Sequence, residues 1–209
     1  MMNLHNISEK LAQAGNFIPG GLAGGAMAGG VMALLIGNKS ARKFAGTAAT
    51  FGGAALLGGL AYKAYKNWQE SKNYQTSISE NSFTSPETLS ADFQLTLLKA
   101  MIAAAQADGH IDAHEQQRIF RSIEQMELST EMKALLFDLL RKPITVNELA
   151  HAAISMEQKT ELYLVSCLVV DPDQPEDKAH LAELAQALAL PPSLTQQLHR
   201  QAKQMMAEA

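Results

Sequence analysis

Residues 97–115, LLKAMIAAAQADGHIDAHE, and residues 162–179, LYLVSCLVVDPDQPEDKA, follow one plan: an apolar run, a turn dense in aspartate, and a fresh helix start. Aligning Asp108 with Asp171 and Leu128 with Leu190 sets Glu115 beside Asp177 after a one-residue gap. The first unit closes at MELS, 126–129, and the second at LALPPS, 188–193. Two helix, acidic turn, helix units in one chain predict a pseudo-twofold helical bundle.

Start and stop signals on either side give the same all-α reading. Ser90 is placed to cap a helix running to about Asp108, with Phe93, Leu97, Met101 and Ala104 or Ala105 on one face and Gly109 at its left-handed end. Asp112 with Glu115, Thr145 with Glu148, and Ser155 with Gln158 have capping-box spacing. Ser129 opens a further helix that Pro143 stops, and Pro175 and Pro192 stand where first-turn prolines belong. About seven short helices follow from Pro86 onward, enough for one core. No alternating strand pattern competes.

Upstream the composition changes. Thirteen of the 14 glycines lie before residue 60, and 19 of the 21 acidic residues lie after residue 73. Residues 1–73 carry a net charge of +5 and residues 74–209 a net charge of −9, so the chain divides into a basic Gly/Ala part and an acidic helical part. There is no charge from Leu11 to Asn38, nor from Phe44 to Tyr62; the loop between them, KSARK at 39–43, carries three. Crossing a bilayer needs about 20 apolar residues. The expectation is a membrane anchor over 1–68 with helices at about 20–37 and 44–66, as one span or a hairpin.

Gly20/Gly24, Gly21/Gly25, Gly25/Gly29, Ala48/Gly52 and Ala55/Gly59 are small residues four apart, suited to close helix contact within a hairpin or between copies in a homo-oligomer. Tyr62, Tyr65 and Trp68, interleaved with Lys63 and Lys66, resemble an interfacial belt closing the second segment. Residues 69–86, QESKNYQTSISENSFTSP, are poor in aliphatics and read as a polar linker, leaving 87–209 as the helical domain.

Charge and cysteine content narrow the function classes. An acidic domain without clustered Lys and Arg argues against a nucleic-acid partner, while the basic N-terminal part suits anionic lipid. The single cysteine, Cys167, sits in an apolar run and reads as a small core residue. HExxH, a nucleophile elbow and a phosphate loop are all missing, so no reaction is read here.

The order of Gly/Ala tract, basic loop, polar linker, AxADGHIDxxE turn, DxDxPxE/D turn and LxxLAxALxLP resembles the YebE-type family of bacterial inner-membrane proteins, whose C-terminal part is similar to the TerB-like domain of tellurite-resistance proteins. The likeness is close over 88–200; over 15–68 only composition and order compare. It implies a TerB-like helical fold, attachment to the bacterial inner membrane with the domain on the cytoplasmic side, and no catalytic activity. Related domains bind divalent cations through acids at the matching turns. Carried over, those acids are Asp108, Asp112 and Glu115 in the first turn and Asp171, Asp173 and Asp177 in the second, with calcium or magnesium as the cation. Asp177 stands where the family has glutamate, which shortens the reach by one methylene.

Each acid also has a plainer role. Asp112 and Glu115 fit a capping box, Asp108 an Asp-Gly turn, and Asp171 and Asp173 a loop before a helix whose N-terminus favours acids. Neither turn has EF-hand spacing: Gly109 is second, not sixth, and Ala182 stands where the bidentate glutamate would be. His110 and His114 are four apart, but a helix starting near Asp112 leaves His110 in the turn. The leading expectation is therefore a non-enzymatic, membrane-held interaction module for a protein partner, and the alternative is a divalent-cation sensor or buffer linked to envelope stress or tellurite resistance.

Overall fold

The computed structural model describes residues 53–72, 82–83, 91–107, 130–170 and 173–208, together with 117, 120, 121, 123 and 124. Among them there are seven helices and no strand: α1 (Gly53–Ser71), α2 (Ala91–Ala105), α3 (Thr130–Arg141), α4 (Val146–Ala152), α5 (Met156–Val169), α6 (Pro175–Ala187) and α7 (Pro192–Glu208). The all-α expectation holds for these residues.

Helix α5 is the axis of the bundle. It packs against α1, α2, α6 and α7, and every residue from Glu161 to Val170 is buried. A helix enclosed on all sides needs no polar stripe, which is why LYLVSCLVV shows none. Its polar residues are satisfied locally: Thr160 Oγ1 donates to the Met156 carbonyl at 2.7 Å and Ser166 Oγ to the Leu162 carbonyl at 3.0 Å. The expected capping box starts it, with Gln158 N–H donating to Ser155 Oγ at 3.2 Å and Ser155 N–H to Gln158 Oε1 at 3.3 Å. Helices α2 and α5, which head the two repeated units, pack directly on each other.

The other local signals act at close range. Thr145 Oγ1 accepts from Glu148 N–H at 3.2 Å, while the Glu148 carboxylate reaches Lys99 Nζ at 2.5 Å and ties α4 to α2. Pro175 and Pro192 occupy the first positions of α6 and α7. Helix α6 ends without glycine: Ala189 takes φ 53°, Leu190 N–H donates to the Ala185 carbonyl at 3.0 Å, and the Leu190 side chain is buried beside that turn.

The N-terminal expectation is corrected at α1. Residues 53–66 of the second expected membrane segment belong to α1, which packs along α7 and α5 inside the bundle. Leu57, Ala61, Ala64, Tyr65 and Trp68 are buried, whereas Lys63, Lys66, Asn67 and Glu70 are exposed. That is the i, i+4, i+7, i+8, i+11 face of an amphipathic core helix. Trp68 Nε1–H donates to Ser193 Oγ of α7 at 2.9 Å, and Phe83 packs on Tyr62 and Tyr65 with ring centroids 5.7 Å apart in both pairs. The aromatic set read as an interfacial belt thus belongs to the core, and the boundary expected at residue 68 falls inside a helix.

No helix among the described residues is long and apolar enough to cross a membrane. The segment expected at 20–37, the basic loop, and all the small-residue pairs except Ala55/Gly59 lie outside the described residues. Gly59 has nothing within 4 Å of where a Cβ would stand, so that position on α1 is open.

Candidate functional site

Of the six candidate acids, Asp108, Asp112, Glu115 and Asp171 lie outside the described residues, as do His110 and His114. The other two flank the start of α6. Backbone order there comes from both sides: α5 ends where Val170 turns extended, its N–H still bonded to the Ser166 carbonyl at 3.2 Å. Gln174 then takes the extended N-cap conformation before Pro175, and its side chain makes no capping hydrogen bond.

Asp173 precedes this cap and is exposed; Asp177 is in the first turn of α6 and only 6% exposed. A carboxylate in a first helical turn is stabilised by the unpaired N–H groups and the positive end of the helix dipole, which accounts for Asp177 and Glu176 without an ion. The two candidate ligands therefore occupy unlike environments. Among the described residues no three His, Cys, Asp or Glu side chains are grouped to hold a metal ion.

One turn beyond Asp177, His180 places Nε2 in the interior with no hydrogen-bond partner. Burial lowers its pKa below the usual 6.5, opposed by the nearby Glu183 carboxylate, so the ring is held neutral.

A second polar constellation, which the sequence reading missed, joins α5 to α7. Tyr163 and His199 are paired through the phenol oxygen and Nε2 at 2.9 Å, with rings stacked at 5.6 Å and 26°. Burial lowers the His199 pKa, while burial and then Cys167 raise that of Tyr163. Both groups are thus held neutral, and the phenol oxygen and Nε2 share a hydrogen bond whose donor is set by the imidazole tautomer. Burial also pushes the Cys167 thiol up, so it is held protonated and is a poor nucleophile. This arrangement cross-links two helices and offers no poised base and nucleophile. Tyr163 and His199 are 36 residues apart, and no local spacing signals the pair.

A family model described as "Protein of unknown function (DUF533)" matches residues 21–202. A protein of Yersinia enterocolitica described as an uncharacterized protein in the ampR 5' region is 30% identical over 95 residues, which cover 46% of this chain and 68% of that protein. No solved structure matches the chain significantly.

Proposed function

The chain belongs to the DUF533 family, and on that footing we propose that it is a non-enzymatic, membrane-associated protein that presents a TerB-like helical bundle to a protein partner. The bacterial inner membrane, with the bundle on the cytoplasmic side, is the setting this reading assigns. The observation that carries it is continuity: an uncharged Gly/Ala tract, preceded by the basic loop Lys39, Arg42 and Lys43, runs straight into α1 of an acidic bundle. A long uncharged tract next to clustered basic residues is the composition that favours lipid on one side and anionic head groups on the other.

Catalysis is left out of this reading because the thiol and the phenol–imidazole pair the bundle holds are engaged otherwise. Cys167 is protonated in the core, and Tyr163 and His199 occupy each other. Packing of α1 also changes which part must provide the anchor. Leu57 onward is committed to α5 and α7, so only residues upstream of it remain for lipid, with Leu11–Asn38, which contains the helix expected at 20–37, as the longest uncharged stretch.

The test is fractionation of the full chain against residues 53–209, which keep α1. The full chain is expected in the membrane fraction and resistant to carbonate, and the shorter chain in the soluble fraction. Complete carbonate release of the full chain rejects the anchor.

A further inference from the structure

Three contacts fix the direction of α1 in the bundle. Trp68, near its C-terminus, bonds to Ser193 in the first turn of α7 at 2.9 Å. Tyr65 feels the carboxylate of Glu157 in the first turn of α5. Tyr65 and Trp68 are one turn apart on α1, so the first turns of α5 and α7 lie at the same end; with Tyr163 and His199, each the eighth residue of its helix, also meeting at 2.9 Å, α5 and α7 run parallel. Helix α1 is therefore antiparallel to both. Its N-terminus, where the chain arrives from the Gly/Ala tract, lies at the end where α5 and α7 finish.

That end also carries the α5–α6 connection, with Asp173, Gln174 and Glu176 all exposed. The opposite end carries the α4–α5 turn, where Ile154 is 86% exposed, and the connection from α6 to α7. The two ends are separated by the 14 residues of α5, or ~21 Å at 1.5 Å per residue.

Residues 44–52, which adjoin α1, carry no charge. If the bundle stood the other way up, this uncharged stretch would have to run back along its flank in water before reaching lipid, leaving Phe44 and Phe51 without the apolar surroundings that favour them. We infer that the end bearing Asp173, Gln174 and Glu176 faces the lipid surface, and that the end bearing Ile154 faces away and is the one open to a soluble partner. This orientation rests on the proposed membrane association.

The experiment uses the full chain with a single added cysteine, Gln174→Cys or Ile154→Cys, labelled with a fluorophore. Both positions are exposed, Gln174 makes no capping bond, and the native Cys167 is buried, so the unsubstituted chain should take up no label and serves as the control. Labelled protein is reconstituted into vesicles of three parts phosphatidylcholine to one part phosphatidylglycerol carrying a head-group quencher. The probe at 174 is expected to be quenched at least about twofold more than the probe at 154, given the ~21 Å of helix between them. Equal quenching, or stronger quenching at 154, in protein that floats with the vesicles overturns the orientation and leaves membrane association standing. If the full chain does not float with vesicles, association itself fails and the orientation falls with it.

Discussion

Replacing Trp68 with alanine tests whether α1 is part of the bundle or an attachment to it. Trp68 is the chain's only tryptophan, 9% exposed, wedged beside Tyr65 with centroids 5.4 Å apart and bonded to Ser193. A buried tryptophan removes about 200 Å² from water. At about 25 cal/mol per Å² this is worth about 5 kcal/mol, an upper bound because the unfolded chain already hides part of that surface. Truncation to alanine also leaves a cavity and an unpaired Ser193 hydroxyl, so a loss of about 3–5 kcal/mol is expected.

For a chain of this size that loss lowers the melting temperature by roughly 10 °C. The assay is thermal and urea unfolding of the full chain followed by far-ultraviolet circular dichroism. A double-mutant cycle of Trp68→Phe with Ser193→Ala isolates the hydrogen bond, with an expected coupling of about 1 kcal/mol. If α1 were an independent segment on a polar tether, Trp68→Ala would leave the bundle's transition in place. An unchanged midpoint together with zero coupling would refute the packing argument.

Ala189→Gly should raise stability by about 0.5–1 kcal/mol in urea unfolding, because the φ of 53° at this helix end strains a residue with a Cβ and suits glycine. Gly59→Ala should stabilise by a similar amount, roughly 1 kcal/mol, since nothing stands within 4 Å of the new methyl and alanine is the better helix former. His180 and His199 have folded-state pKa values below the unfolded 6.5, so the unfolded chain binds more protons below that pH. Stability from these two groups is therefore complete above about pH 6.5 and declines as the pH falls through it; urea midpoints from pH 7 to 5.5 should fall less steeply in the His180→Leu, His199→Leu variant.

What the sequence made legible was whatever one helix turn decides. Ser155 and Gln158 are three residues apart and close their box with no help from the rest of the chain, and Pro175 and Pro192 fit only a first turn. The burial of Cys167 could likewise be read from its apolar neighbours. Helix α1 was misread because Tyr62, Lys63, Tyr65, Lys66 and Trp68 satisfy two physical descriptions at once. Spaced rings with long basic chains suit a lipid interface, and the same spacing gives a core helix whose lysines point to water. The deciding partner of Trp68 is Ser193, 125 residues away, and no short window contains both. Ala189 hid the end of α6 for a related reason: the turn is held by Leu190 N–H on the Ala185 carbonyl and by burial of the Leu190 side chain, so the usual glycine is dispensable.

The position of α1 also bears on what the candidate acids can do. Asp173 and Glu176 are exposed at the end of the bundle where the uncharged tract enters, and Asp177 is folded into the first turn beside them. Asp177 is a carboxylate in the first helical turn, where the positive end of the helix dipole favours negative charge, and Asp173 and Glu176 lie on the surface. Asp173 and Glu176 are therefore the acids of this turn that an approaching surface meets first. Near an anionic lipid surface these two charges are repelled unless Lys39, Arg42 and Lys43 lie between them and the head groups. On the proposed membrane association, the three basic residues of the loop outweigh these two acids at the lipid surface, so reversing the charge of the loop should weaken vesicle flotation more than neutralising Asp173 and Glu176 strengthens it.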